Sequence, residues 1–180
     1  MRNKVLTKEK LIEVAENIIK EEGLDACTSR NIAKHANCAL GTIYNYFDSR
    51  DSFLEQVFIQ SWDKTKVKLS LISDLEISTK EKALKMFRLV EQDVKDRSGI
   101  GDYLFETVFK CENKKSLSEK TTNNILDIFI KILKESEKNS NLDDVSLRIS
   151  AEWIYYGTIV LIKKEKDVET FYRLAIERFF

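Results

Sequence analysis

The chain has 180 residues, with 30 Lys plus Arg against 30 Asp plus Glu and so no formal net charge; it is no polybasic nucleic-acid sponge, and any grip on phosphate must come from local charge. Its 43% hydrophobic and 33% charged residues exclude a disordered chain, because enough apolar surface exists to offset chain entropy. Proline is absent and only five glycines occur, so the punctuation of sheets and long loops is missing and long helices joined by short polar turns are expected.

The first ten residues hold four cations, Arg2, Lys4, Lys8 and Lys10, against the single acid Glu9, and form a local basic arm. Leu11, Ile12, Ala15, Ile18 and Ile19 then recur at helical spacing with Glu9, Glu13, Glu16 and Lys20 opposite, and Gly23 is a stop signal. Thr28 and Ser29 offer cap hydroxyls to a short helix holding Ile32, Ala33 and Ala36, which Asn37 can close in the left-handed conformation. Another short helix is expected from about 39 to 46, with Ile43 and Phe47 in the core alongside Ile32 and Ala33. Asp48 and Ser49 then cap a long helix through Phe53, Leu54, Val57, Phe58 and Trp62. Polar breaks near 73–78, 97–101, 112–118, 138–144 and 163–167 leave room for five further helices. With no repeat, low-complexity tract or flexible linker, the long helix from near Arg50 is the expected joint between two parts.

Cys27, Cys38 and Cys111 are odd in number, lack paired metal-ligand spacing and share the chain with one histidine, so no zinc site or other metal is expected and the thiols read as reduced. His35, beside the turn, reads as structural rather than as a ligand or pH sensor. Cys38 or Cys111 would be the choices for an oxidant sensor, but no basic neighbourhood that lowers a thiol pKa is evident. No run approaches the ~18 apolar residues of a membrane span, and the charged N-terminus does not lead into a signal-peptide core, so a soluble cytoplasmic protein without membrane contact is expected. There is no phosphate-binding glycine loop, nucleophile motif or metal cluster, so neither enzyme activity nor a cofactor is expected.

Residues 28–46 have the lengths of a helix-turn-helix, with Ala36-Asn37-Cys38 as the turn. Their wording is more specific than their lengths. Gly23-Leu24, Thr28-Ser29-Arg30-Asn31-Ile32-Ala33-Lys34, Gly41-Thr42-Ile43-Tyr44-Asn45-Tyr46-Phe47 and Ser49-Arg50 closely resemble the DNA-binding domain of the tetracycline-repressor (TetR) family of bacterial regulators, over about residues 5 to 60. The resemblance implies an all-α fold of about nine helices: a three-helix helix-turn-helix DNA-binding domain at 1–48, joined through the long helix to a helical-bundle ligand-sensing and dimerisation domain at 49–180. It also implies that the second motif helix enters the major groove, where base edges are distinguishable. Leu40, Gly41, Thr42 and Asn45 would read bases, while Thr28, Tyr44, Tyr46 and Arg50 match positions that usually hold phosphates. Plainer roles stand beside these: Thr28 as a helix cap, Tyr44 as core, Asn45 as a solvated turn residue, Arg50 paired with Asp48 or Asp51. The chain departs from the family where Gly-Val-Ser and a basic residue are common, having Asn37, Cys38, Ala39 and Leu40; it loses a cap hydroxyl and a charge there.

In the second part, apolar residues across 125–133 and 145–162 occupy more than one helix face and need cover on both sides. Ile125, Phe129, Ile132, Trp153, Tyr156, Gly157 and Val160 are therefore expected at a symmetric four-helix dimer interface, with Gly157 and Ala151 permitting close backbone approach; a single thick core is the other reading. By the resemblance, Trp62, Phe87, Leu89, Tyr103, Phe105, Phe109 and Cys111 lie in helices around an effector pocket. The expected function is a sequence-specific DNA-binding regulator, a repressor whose homodimer leaves a palindromic double-stranded operator when a small-molecule effector binds. The alternative is a helical adaptor or antirepressor that does not bind DNA.

Overall fold

The computed structural model describes residues 6–97 and 117–180, which form eight α-helices and two short 3₁₀ turns with no strand among them. The helices are α1 (Lys8–Glu22), α2 (Ser29–His35), α3 (Leu40–Tyr44), α4 (Arg50–Ser73), α5 (Thr79–Asp96), α6 (Leu117–Glu135), α7 (Asp144–Lys163) and α8 (Val168–Phe179). Each expected helix in the described residues is present, and the break near 97–101 and that near 112–118 fall largely outside them. Compactness divides the chain inside α4: Met1–Trp62 with Asp96–Ser118 make one unit, Asp63–Lys95 with Glu119–Phe180 the other. The sequence placed the division at 48/49, just ahead of the start of α4.

The first unit is built on local signals. Thr7 accepts the Lys10 backbone N–H at 3.3 Å and starts α1; Gly23, at φ 88°, ends it in a conformation that a side chain would strain. Thr28 accepts from Asn31 N at 3.2 Å to start α2, and Asn37 at φ 51° turns the chain toward α3. Ser49 accepts from Ser52 N at 3.1 Å at the head of α4. The one apolar stripe of each helix then meets in a single core of Leu11, Ala15, Ile18, Ile32, Ile43, Phe47, Phe53, Leu54 and their neighbours. Phe47 and Phe53 pack edge to face with centroids 4.6 Å apart, which is a favoured geometry of ring quadrupoles. The alternation of α1 and the core assignments of Ile32, Ala33, Ile43 and Phe47 are observed.

In the second unit α5 opens with a reciprocal capping box, Ser78 N donating to Glu81 Oε2 at 3.1 Å and Glu81 N to Ser78 Oγ at 3.3 Å. Asp143 and Asp167 cap α7 and α8 through Ser146 N and Thr170 N. The core is aromatic: Phe87 stacks on Tyr172 at 5.0 Å and on Phe129 at 6.4 Å. Its buried polar groups are paired, as low dielectric demands: Thr65 Oγ1 donates to Asp93 at 2.5 Å, and Lys82 reaches Glu135 at 2.8 Å. By length and composition alone α7 is apolar enough to cross a membrane. However, it carries Arg148, which meets Glu152 at 2.9 Å and Asn123 at 2.5 Å, and it buries Leu147, Ala151, Ile154, Tyr155 and Thr158 within its own unit.

Candidate nucleic-acid interface

The candidate site is the outer face of α3 and what flanks it. Only five residues long, α3 is held from beneath by Ile43 and Phe47, both sealed in the core. Its other side chains face out: Leu40 is 38% exposed, Tyr44 57% and the following Tyr46 39%, large apolar surface that the chain itself leaves uncovered. Asn45 is exposed and Thr42 half-buried. Gly41 is open as well, since a Cβ built there would meet nothing within 4 Å and its backbone φ is not left-handed. Nothing among the described residues therefore demands glycine at position 41. Ala39 caps α3 without a side-chain hydrogen bond, the loss foreseen from the missing hydroxyl.

The expected phosphate group divides on inspection. Thr28 is exposed and accepts a hydrogen bond as the cap of α2, which leaves its hydroxyl proton available to an outside acceptor. Tyr44 is the most exposed of the site's aromatic side chains. Tyr46 instead donates its one hydroxyl proton to the Leu6 carbonyl at 2.6 Å, so it does not offer that proton to a phosphate. Arg50 donates from Nε to the Cys27 carbonyl at 3.3 Å and from Nη2 to the Leu24 carbonyl at 3.2 Å, a tie between α4 and the segment before α2. Its guanidinium also lies near the Cys27 thiol, which burial pushes up to about 11 and so makes a poor nucleophile. Cys38 is half-buried. His35 links α2 to α1, with Nδ1 3.1 Å from the Asn31 carbonyl and Nε2 3.3 Å from Glu22; Asn31 reaches the same carboxylate at 3.1 Å. Among the described residues no His, Cys, Asp and Glu side chains gather into a group able to hold a metal.

This geometry has counterparts. Residues 11–57 match the family model of bacterial regulatory proteins of the tetR family. An uncharacterised helix-turn-helix transcriptional regulator of Haemophilus influenzae is 40% identical over 48 residues, 27% of this chain and 26% of that protein. The regulator PksA of Bacillus subtilis is 28% identical over 79 residues, 44% of this chain and 38% of that one, so each match spans well under half of these relatives. The solved structure of Thermus thermophilus FadR, a TetR-family transcriptional repressor in complex with lauroyl-CoA, superposes with a TM-score of 0.68 over 95% of this chain and 92% of that one at 15% identity, a likeness of fold. Residues 11–57 are thus of TetR-family type, and the rest of the chain shares the fold.

The TetR-family match lies in the first 57 residues, and in the second unit the structure alters the sequence reading. Ile125, Phe129 and Ile132 were expected at a dimer interface, but they are at most 2% exposed within the single chain; the apolar face of α6 is the core of its own unit. Gly157 does not hold space for a partner either, because a Cβ there would lie 2.6 Å from the Phe171 ring of the same chain. Val160 is half-buried, while Trp153 and Tyr156 do face outward. With them on α7 stand Val145 and Ile149, at spacings of four, four and three, and Leu174 on α8 is also bare. Val145, Ile149 and Leu174 were missed in the sequence, although separating the two faces of α7 at 3.6 residues per turn finds the first two. Of the expected pocket residues, Phe87 is fully buried in the aromatic core and Leu89 is half-buried. Trp62 is buried in the first unit beneath the Arg97 guanidinium, 4.3 Å from its ring centroid. Tyr103, Phe105, Phe109 and Cys111 lie outside the described residues.

Proposed function

We propose that this chain is a TetR-family, sequence-specific DNA-binding transcriptional regulator, reading DNA through residues 1–48 and pairing and sensing through 49–180. The observation that carries the reading is the outward face of α3. A helix too short to be stable alone is fixed by two buried side chains and presents Leu40, Gly41, Thr42, Tyr44 and Asn45 to the outside. Such a helix fits the ~12 Å major groove. Asn45 is suited to paired hydrogen bonds with adenine, Leu40 to a thymine methyl, and the Gly41 backbone to close approach, while Thr28 and Tyr44 supply protons to phosphate.

Reading a palindrome requires two such helices about one duplex turn, roughly 34 Å, apart. The bare stripe of Val145, Ile149, Trp153 and Tyr156 with Leu174 supports a homodimer built on α7 and α8, in place of the α6 residues first expected. The likeness to a repressor solved with lauroyl-CoA supports a repressor that a small molecule releases from its operator, with a long-chain acyl-CoA as the first effector to try.

The test is a binding titration against the gene's own upstream intergenic DNA and a mixed-sequence duplex, at two salt concentrations. Tyr44→Phe, losing a phosphate contact, weakens both duplexes by a similar factor. Thr42→Ala narrows the gap between them, because a lost base contact relaxes specificity. If the wild type does not prefer its own upstream DNA and neither substitution alters binding, the adaptor reading replaces this one.

A further inference from the structure

Arg50 opens α4, yet its side chain serves the segment that leads into α2. Nη2 donates to the Leu24 carbonyl at 3.2 Å and Nε to the Cys27 carbonyl at 3.3 Å, so one planar guanidinium holds two oxygens of the same short turn. The Cys27 carbonyl and the Thr28 N–H belong to a single planar peptide unit. Arg50 holds its oxygen, and its N–H donates to the Ala26 carbonyl at 2.8 Å. The Ala26 carbonyl in turn accepts Asn31 Nδ2 of α2 at 3.2 Å. The peptide plane entering Thr28 is therefore fixed at both ends, one of them from 23 positions along the chain.

Thr28 is the side chain that this plane aims. Its Oγ1 accepts from Asn31 N at 3.2 Å and its own carbonyl accepts from Ile32 N at 2.9 Å, which leaves the hydroxyl proton for an acceptor outside the chain, where Thr28 is exposed. A hydrogen bond weakens steeply once its angle falls below ~120°, so a tilt of the preceding peptide is enough to misdirect that proton.

We propose that Arg50 is a positioning residue, a clamp that sets the peptide plane ahead of Thr28 and so aims the Thr28 hydroxyl at a phosphate of the DNA backbone. The inference rests on the DNA-binding reading and deepens it: Arg50, first expected to hold a phosphate itself, acts through Thr28. Charge alone does not do this work. A lysine keeps the charge but, as one nitrogen on a flexible stem, does not reproduce the planar two-pronged hold on the Leu24 and Cys27 carbonyls.

Five full-length proteins test it on a mixed-sequence duplex, where phosphate contacts count and no operator is needed: wild type, Arg50→Lys, Arg50→Gln, Thr28→Ala and Arg50→Lys/Thr28→Ala. Arg50→Lys is expected to weaken binding about tenfold, the low end for a hydrogen bond lost to a charged acceptor, while the free protein melts within a few degrees of wild type. Arg50→Gln is expected to weaken it to a similar extent and to flatten the slope of log K against log salt by well under the ~0.9 of a lost cation–phosphate contact. In the Thr28→Ala background Arg50→Lys is expected to cost nothing further, because no hydroxyl is left to aim. Wild-type affinity in Arg50→Lys with a slope flattened by about 0.9 in Arg50→Gln marks a direct phosphate contact and overturns the inference. An Arg50→Lys loss of equal size in both Thr28 backgrounds overturns it as well, since Arg50 then supports the domain without acting through Thr28. Wild-type protein that binds no duplex even at low salt overturns the DNA-binding reading itself, whereas duplex binding that Arg50→Lys leaves unchanged overturns only the clamp.

Discussion

Gly41 separates what the fold needs from what a partner needs. Its helical backbone and the empty space around it mean that the fold tolerates alanine there, and alanine exceeds glycine in helix propensity by up to about 1 kcal/mol. Gly41→Ala is therefore expected to melt at or above the wild-type temperature and yet to bind its operator about tenfold more weakly, a loss near 1.4 kcal/mol, because the added methyl holds the backbone away from base edges. Tighter binding by a stabilised Gly41→Ala would remove Gly41 from the reading face. Residue-level reading of the sequence succeeded wherever the controlling interaction is local: the Thr28 cap, the left-handed Asn37 and the inward Ile43 all follow from neighbours three or four positions away. It went astray at Tyr46, whose partner is a carbonyl 40 positions distant with no side-chain signature, and it did not foresee that Arg50 reaches carbonyls 26 and 23 positions away.

At the scale of whole helices the same contrast separates α6 from α7. Both are rich in apolar residues, and the sequence assigned both to a dimer interface. The structure shows that α6 has one apolar face, already covered, and a charged one with Asp127, Lys131 and Lys134. Helix α7 has two apolar faces, one sealed by Leu147, Ala151, Ile154 and Tyr155, the other bare from Val145 to Tyr156. Composition could not tell them apart, whereas the phase of the 3.6-residue repeat does. Introducing a charge makes the difference measurable. Ile149 is 61% exposed, so Ile149→Asp is expected to leave the fold intact and give a monomer by sedimentation at micromolar concentration. Ile132, at 1%, is expected to fail differently: Ile132→Asp buries an unpaired carboxylate and abolishes cooperative unfolding. A dimeric Ile149→Asp protein would move the interface off α7. Gly157→Ala meets the Phe171 ring and is expected to cost about 1–3 kcal/mol through overpacking, read as a lower melting temperature.

At the scale of the whole molecule, the carboxylates that stabilise helix ends are unevenly distributed among the described residues. In the second unit the Ser146 hydrogen bond holds Asp143 below the ordinary carboxylate range, the Thr170 hydroxyl does so for Asp167, Ser78 for Glu81 and the Lys131 ammonium for Asp74. In the first unit Glu9 is lowered in the same sense, chiefly by a backbone hydrogen bond. A carboxylate whose folded pKa is depressed stabilises the fold fully above its unfolded value of about 4, and that contribution disappears as pH falls through the folded pKa. Acid should thus loosen the second unit before the first. The two tryptophans make this visible, since Trp62 belongs to the first unit and Trp153 to the second. In a Trp62→Phe protein the emission of Trp153, taken from pH 7 down to pH 3, is expected to change at a higher pH than the emission of Trp62 in a Trp153→Phe protein. Because the bare face of α7 carries Trp153, a dimer built on that face as proposed should come apart in the same acid step, and sedimentation across that range ought to show dissociation accompanying the Trp153 transition. Coincident transitions of both reporters would mean that the two units unfold as one and that these end caps do not govern acid stability.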